Sequence, residues 1–184
     1  AAFTLREKGY DGTIALIGEE TSLPYERPPL SKDTCATPKL IRSFDSYADA
    51  GIILMLGKQV TVIGSTNKLV KLCNGEILKY DQLLLATGAS ARLFPTLEGC
   101  LTLRTDLDAQ AILGQVKQDT RIGIIGGGFI GLELAASARQ LGAEVTAFEA
   151  ASRLLGRAVP KEIATIVQRH HEAEGVNLMI GKGV

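Results

Sequence analysis

Gly126-Gly127-Gly128-Phe129-Ile130-Gly131 is the segment of this chain best suited to hold a diphosphate. It follows the apolar run Arg121-Ile122-Gly123-Ile124-Ile125 and opens a helical pattern, and Glu149 stands eighteen residues beyond Gly131, close to the spacing of the dinucleotide-binding fingerprint. In that fingerprint Gly126 permits the tight turn, Gly128 lets the backbone approach a pyrophosphate, and Gly131 lets the helix sit close on its strand. The amides that open the helix, Ile130 among them, have no intrahelical acceptor and lie at the positive end of the helix dipole, so they attract phosphate. Glu149 can accept hydrogen bonds from both ribose hydroxyls and would repel a 2′-phosphate, which favours NADH over NADPH. Arg153 and Arg157 temper that preference, because a guanidinium could accommodate the extra phosphate. The plainer alternative is a tight turn followed by a solvated acid.

The elements that must position these residues form a repeat. Helical sequence from Ala1 to Lys8, a stop at Gly9 and the apolar strand Ile14-Ala15-Leu16-Ile17 lead to Glu19 and Glu20. The same grammar recurs where Leu132 to Leu141 ends at Gly142 and Val145-Thr146-Ala147-Phe148 leads to Glu149. By this logic Glu19 would bind the ribose of a second adenine dinucleotide, although an acidic pair after a strand is also a common solvated loop start. Two dinucleotide sites in one chain imply that two cofactors meet, and hydride transfer from nicotinamide to flavin is the common reason. Because the second copy is prefaced by a strand and a glycine loop, the same preface is expected upstream of Ala1, and the fold is expected to continue past Val184.

Between the copies lie a proline-rich loop at Pro24 to Pro29, a short helix over Ser46 to Ala50, and strands joined by a two-residue turn at Asn74-Gly75. Asp81-Gln82-Leu83-Leu84-Leu85-Ala86 reads as a buried strand ended by Thr87-Gly88. After a boundary at Leu101 to Arg104, helices are expected over Asp106 to Lys117 and Lys161 to Glu174, the latter a crossover leading to a strand at Val176 to Ile180.

The segment Pro24-Tyr25-Glu26-Arg27-Pro28-Pro29-Leu30-Ser31-Lys32 resembles the ferredoxin reductases of bacterial aromatic-ring dioxygenase and cytochrome P450 systems, a family that includes rubredoxin reductases. Tyr80 to Ala89 (YDQLLLATGA), Leu103 to Thr105 (LRT) and Ile125 to Arg139 (IGGGFIGLELAASAR) extend the resemblance over nearly the whole chain. It implies an α/β fold of Rossmann-like, three-layer dinucleotide-binding domains similar to glutathione reductase. On that comparison residues 1–103 are a partial FAD-binding domain lacking its first strand and glycine loop, and residues 104–184 a partial NAD-binding domain. The implied cofactors are FAD and NAD, and the implied partner is an iron–sulfur ferredoxin or a rubredoxin.

The resemblance also implies roles for single residues. Lys32 would lie beside the flavin and Glu133 would be the carboxylate paired with it, the two catalytic candidates. Glu19, Lys32, Val60 and Arg104 match FAD-contacting positions, and Arg27, Pro29, Ala86, Thr87 and Gly88 are further cofactor-binding candidates, as are Gly126, Gly128, Ile130, Gly131, Glu149 and Arg157. A buried lysine could stabilise negative charge on a reduced ring, with the carboxylate lowering the cost of burying it. Read without the family, Lys32 is a surface lysine and Glu133 sits on an exposed helix face. With the first glycine loop missing, FAD is expected to bind this chain poorly.

Composition narrows the rest. Hydrophobic residues at 46% and charged residues at 22% describe a globular chain with material for one or two cores. Twenty basic and twenty acidic side chains leave no field to hold nucleic acid or an anionic membrane. No apolar run is long enough to cross a bilayer and nothing resembles a signal peptide, so a cytoplasmic setting is expected. Oligomeric state is left open by the sequence.

Three scattered cysteines, Cys35, Cys73 and Cys100, exclude the closely spaced pair that a disulfide reductase needs. A single-cysteine NADH oxidase or peroxidase using Cys35 stays open as an alternative, as does a non-catalytic nucleotide-binding module. His170-His171 point to different faces of a helix and find no third ligand at metal-binding spacing, so no metal is expected.

Overall fold

A computed structural model describes residues 1–35, 37–93 and 98–183. In chain order its first elements are α1 (Ala2–Glu7), β1 (Ile14–Ile17), α2 (Pro29–Lys32), α3 (Phe44–Asp49), β2 (Ile52–Met55), β3 (Val60–Gly64), β4 (Leu69–Leu72) and β5 (Ile77–Lys79). Then come α4 (Asp106–Leu113), β6 (Arg121–Ile125), α5 (Phe129–Gln140), β7 (Glu144–Glu149), α6 (Lys161–Ala173) and β8 (Asn177–Ile180). The chain divides into two compact units, Ala1–Glu26 with Lys39–Ala89, and Arg27–Pro38 with Ser90–Val184.

In the first unit β1 and β2 pair in parallel, Ile14 opposite Ile52 through Ile17 opposite Met55. Ile14, Tyr47 and Ile52 form its buried centre, with Phe3 edge-to-face on Tyr47 at 5.1 Å between ring centroids. Arg6 closes the turn after α1 by donating to the carbonyls of Tyr10 and Gly12, and ties the helix to α3 through the Ala50 carbonyl at 2.7 Å. The expected helix near Ser46 is α3, capped by the Ser43 hydroxyl. β3, β4 and β5 make an antiparallel sheet of their own.

The turn between β4 and β5 differs from the two-residue form expected. Gly75 N donates to Leu72 O and Leu72 N to Glu76 O, so Cys73, Asn74 and Gly75 form a three-residue loop with Gly75 at φ +89°. This is a type I turn closed by a left-handed glycine, the geometry that Asn74 favours by accepting the Glu76 amide on its own side chain.

A second difference is the Asp81–Ala86 run, which forms no strand. Leu84 and Leu85 are 71% and 61% exposed. A buried parallel strand requires ladder partners and a cover on both faces, and among the described residues none pairs with this run.

The second unit is a parallel three-stranded sheet, β6-β7-β8, with α5 and α6 as crossovers. Ala135 and Ala138 on α5 are fully buried against Ile124, Val145 and Ala147 of the sheet, small residues that let the helix approach closely. Leu132 of α5 packs with Leu154 and Leu155 of the loop after β7. Thr105 starts α4 with a reciprocal cap: its hydroxyl accepts the Asp108 amide while the Asp108 carboxylate accepts the Thr105 and Arg104 amides. The short α2, with Pro29 at its first turn, packs against α5 in this unit. Among the described residues no helix is long and apolar enough to cross a membrane.

Candidate functional site

The glycine loop is held by three contacts that the sequence pattern alone does not specify. Gly126, at φ +109°, donates its amide to Phe148 O at 2.8 Å. Gly127 donates its amide to Glu149 Oε2 at 2.8 Å. Its carbonyl accepts the Leu155 amide at 3.0 Å. The other Glu149 oxygen, Oε1, accepts the Ala151 amide at 2.7 Å. Glu149 therefore joins the end of β7 to the loop that opens α5, and its carboxylate is oriented before any ligand arrives.

The glycines differ in what they require. A Cβ on Gly131 would lie 2.1 Å from the Gly126 carbonyl oxygen, so only glycine lets α5 start this close to β6. A Cβ on Gly127 would meet Leu154 Cδ2 at 2.5 Å and crowd the Glu149 side chain. Gly128 is the opposite case: it has an ordinary extended φ of −84° and open space where a Cβ would stand. No contact within the chain excludes a Cβ at 128, where glycine serves as the helix cap and leaves room for close approach from outside.

Gly128 is the cap of α5, whose first intrahelical bond runs from the Leu132 amide to the Gly128 carbonyl. The amides of Phe129, Ile130 and Gly131 precede that bond, and Gly128, Phe129 and Ile130 are exposed. A solvent-facing helix start with a Cβ-free approach and an oriented acid beside it fits a dinucleotide: phosphate oxygens on the amides, ribose hydroxyls on Glu149.

Of the two arginines weighed against Glu149, Arg153 is engaged elsewhere. Its guanidinium donates to the Val159 and Gly156 carbonyls, both at 2.8 Å, and so closes its own loop. Arg157 is exposed.

A second constellation joins α2 to α5. Lys32 Nζ lies 3.7 Å from Glu133 Oε1, and the Ser31 hydroxyl donates to Glu133 Oε2 at 2.6 Å. One turn further along α5, the Ser137 hydroxyl donates to the Ser31 carbonyl at 2.9 Å. The Lys32 side chain is 55% exposed, so it is not the buried lysine considered from the sequence. As the last residue of a four-residue helix it reaches past the packed face and keeps its ammonium in water.

The remaining candidates stand in three places. In the unit with α2, Arg27 donates to the Arg104 carbonyl at 2.5 Å, beside Pro29 at the first helical position. In the other unit Glu19 is exposed after β1 and accepts from Gln59 Nε2 at 3.2 Å, while Val60 opens β3. Ala86, Thr87 and Gly88 are exposed without regular structure, Gly88 at φ +68°.

Cys35, Cys73 and Cys100 are all exposed thiols. His170 and His171 have their rings 6.3 Å apart, and no cluster of metal-ligating side chains occurs among the described residues. Burial, and secondly the charge of His170, pushes His171 below its ordinary value.

Ser31, Ser137 and Gly127 were not singled out by the motif. Ser137 carries a signal only in retrospect, as it stands four residues after Glu133 on α5, and Ser31 on α2 has no spacing relation to either.

The chain is 44% identical to the 3-phenylpropionate/cinnamic acid dioxygenase ferredoxin–NAD(+) reductase component of Photorhabdus laumondii subsp. laumondii, a match covering 100% of the chain and 49% of that protein. It is 42% identical to a terpredoxin reductase from a Pseudomonas species, covering 100% of the chain and 46% of the relative. The reductase in a crystal structure of a covalent putidaredoxin reductase–putidaredoxin complex superposes with a TM-score of 0.94 at 38% identity, over 100% of this chain and 47% of that one. The chain thus spans about half the length of the curated relatives it matches. The match to the pyridine nucleotide-disulphide oxidoreductase family runs over residues 1–184, and the chain belongs to that family.

Proposed function

We propose that this chain supplies the nicotinamide-handling part, and some of the flavin-handling part, of a reductase that moves electrons from NADH through FAD to a ferredoxin serving an oxygenase. The observation that carries the reading is the Glu149–Gly127 hydrogen bond, which holds an acid against a glycine loop that opens a helix. We assign residues 1–103 to FAD binding and 104–184 to NAD binding. A cytoplasmic setting goes with this assignment.

In this account the amides of Phe129, Ile130 and Gly131 bind the diphosphate of NADH, and Glu149 binds the adenosine ribose and disfavours a 2′-phosphate. Gly126 and Gly128 shape that approach, and Arg157 is assigned to the same site. Glu19, Arg27, Pro29, Lys32, Val60, Ala86, Thr87, Gly88 and Arg104 are assigned to FAD. Bound FAD would supply the capacity to take a hydride and release its electrons singly.

The chain's own contribution at the reacting centre is the Lys32–Glu133 pair. An ion pair this exposed stabilises a fold by about 0–1 kcal/mol at most. Its value lies instead in placing a positive charge where negative charge develops, with Glu133 limiting where the ammonium can go.

The test is stopped-flow reduction by NADH of a flavin-loaded protein of the relatives' length carrying this sequence, followed by electron transfer to a [2Fe–2S] ferredoxin. Fast flavin bleaching and ferredoxin reduction are expected. Tight NADH binding without either would leave a nucleotide-binding module.

A further inference from the structure

We infer that Ser31 is a positioning residue for the Glu133 carboxylate, and that Ser137 holds Ser31 in place to do it. The inference rests on the reading above, in which Lys32 and Glu133 act as a pair.

Only three polar or charged residues are buried among the described residues, and two of them are Ser31, 5% exposed, and Ser137, 3% exposed. A buried hydroxyl costs stability unless it is hydrogen-bonded, and alanine would fill either position without that cost. Both hydroxyls are spent on one link between α2 and α5. Ser31 Oγ meets Glu133 Oε2 at 2.6 Å, the short distance of a bond to a charged acceptor. The same hydroxyl has a second acceptor, Pro28 O, at 3.4 Å. With a single hydrogen it serves one acceptor fully, and the carboxylate has the better geometry.

The arrangement divides the carboxylate. Oε2 is fixed by Ser31, which leaves Oε1 turned toward Lys32 Nζ at 3.7 Å. The next residue of α2 after Ser31 is Lys32 itself, so anything that fixes Ser31 also fixes the base of the lysine. Ser137, four residues after Glu133 and thus on the same face of α5, performs that task by binding the Ser31 carbonyl. The ion pair is too long and too exposed to set its own geometry. The two serines set it from below.

The test uses the whole chain, with carboxyl-13C glutamate observed by NMR, in Ser31→Ala, Ser31→Thr and Ser137→Ala forms. Loss of the hydroxyl in Ser31→Ala is expected to move the Glu133 Cδ resonance and to average its side-chain rotamers, and threonine, which keeps the hydroxyl, is expected to restore both. Should Ser31→Ala not fold, Ser137→Ala is expected to show the same rotamer averaging. In a flavin-loaded protein of the relatives' length, Ser31→Ala should slow flavin reduction by NADH about fivefold or more, with the NADH dissociation constant changed less than about twofold. A Glu133 signal unmoved in folded Ser31→Ala, or in folded Ser137→Ala where Ser31→Ala does not fold, would overturn the inference, even if Lys32→Ala and Glu133→Ala slow reduction and so uphold the pair. A Glu133 signal that moves while Ser31→Ala, Lys32→Ala and Glu133→Ala all reduce at the parent rate upholds the positioning and removes the pair from the reaction.

Discussion

Glu149 accepts the Gly127 amide at 2.8 Å, so the acid that ends β7 is bonded to the loop that opens α5. Replacing it with glutamine keeps one good acceptor for two amides, those of Gly127 and Ala151. Glu149→Gln should therefore cost about 1–2 kcal/mol of stability by chemical denaturation. It should also narrow the preference for NADH over NADPH in paired binding titrations, because the charge that repels a 2′-phosphate is gone.

Gly128 and Gly131 separate ligand approach from fold. Gly131→Ala would drive a Cβ into the Gly126 carbonyl, and overpacking of this kind is expected to cost about 1–3 kcal/mol or more. Gly128→Ala meets no atom of the chain, so its unfolding free energy should fall only by the cost of a poorer helix cap, within about 1 kcal/mol. Its NADH affinity should nevertheless drop about tenfold, roughly 1.4 kcal/mol, when measured by calorimetry.

Lys32→Ala removes an exposed cation and should leave thermal stability within about 1 kcal/mol of the parent, whereas Glu133→Ala also takes the acceptor from the buried Ser31 hydroxyl and should cost about 1–3 kcal/mol. Flavin reduction by NADH in a protein of the relatives' length should slow about tenfold or more in each. Equal slowing in the double variant, without further loss, would mark the two as one unit.

Stability should depend on pH through His171, which stands beside Ala136, Arg139, Gln140, His170 and Glu174. Its folded value lies below the ordinary 6.5, chiefly through burial. The unfolded chain then binds more protons in acid, so stability rises with pH: the contribution is present above 6.5 and is lost as pH falls through the lowered folded value. His171→Gln should flatten that part of a melting-temperature profile recorded from neutral to mildly acidic pH.

Cys35 is exposed and stands three residues beyond Lys32. Cys35→Ser should keep the NADH-to-ferredoxin rate of a reductase, and a rate lost with the thiol would favour the peroxidase-like alternative.

Local grammar was legible in the sequence wherever a single segment decides its own state. The α5 start, the strand that ends at Glu149 and the α6 crossover follow from glycines and periodicity that act over a few residues. Leu83 to Leu85 form no strand, because an apolar run becomes a buried strand only when a neighbour pairs with it, and that condition is not written in the run itself. The hairpin at Asn74-Gly75 is one residue longer than its turn dipeptide predicts, since the extra Cys73 is set by the hydrogen bond of Leu72 to Glu76 across the hairpin. The Ser31–Glu133 bond spans more than a hundred residues of sequence, and no spacing rule reaches that far.

The most direct test of the account is an NMR titration of the 15N-labelled chain with NADH. The amides of Phe129, Ile130 and Gly131 should shift saturably, together with that of Gly127, whose bond to Glu149 senses the ribose. Amides at the start of α5 that stay unmoved at saturating NADH, or shifts confined to another face, would contradict it.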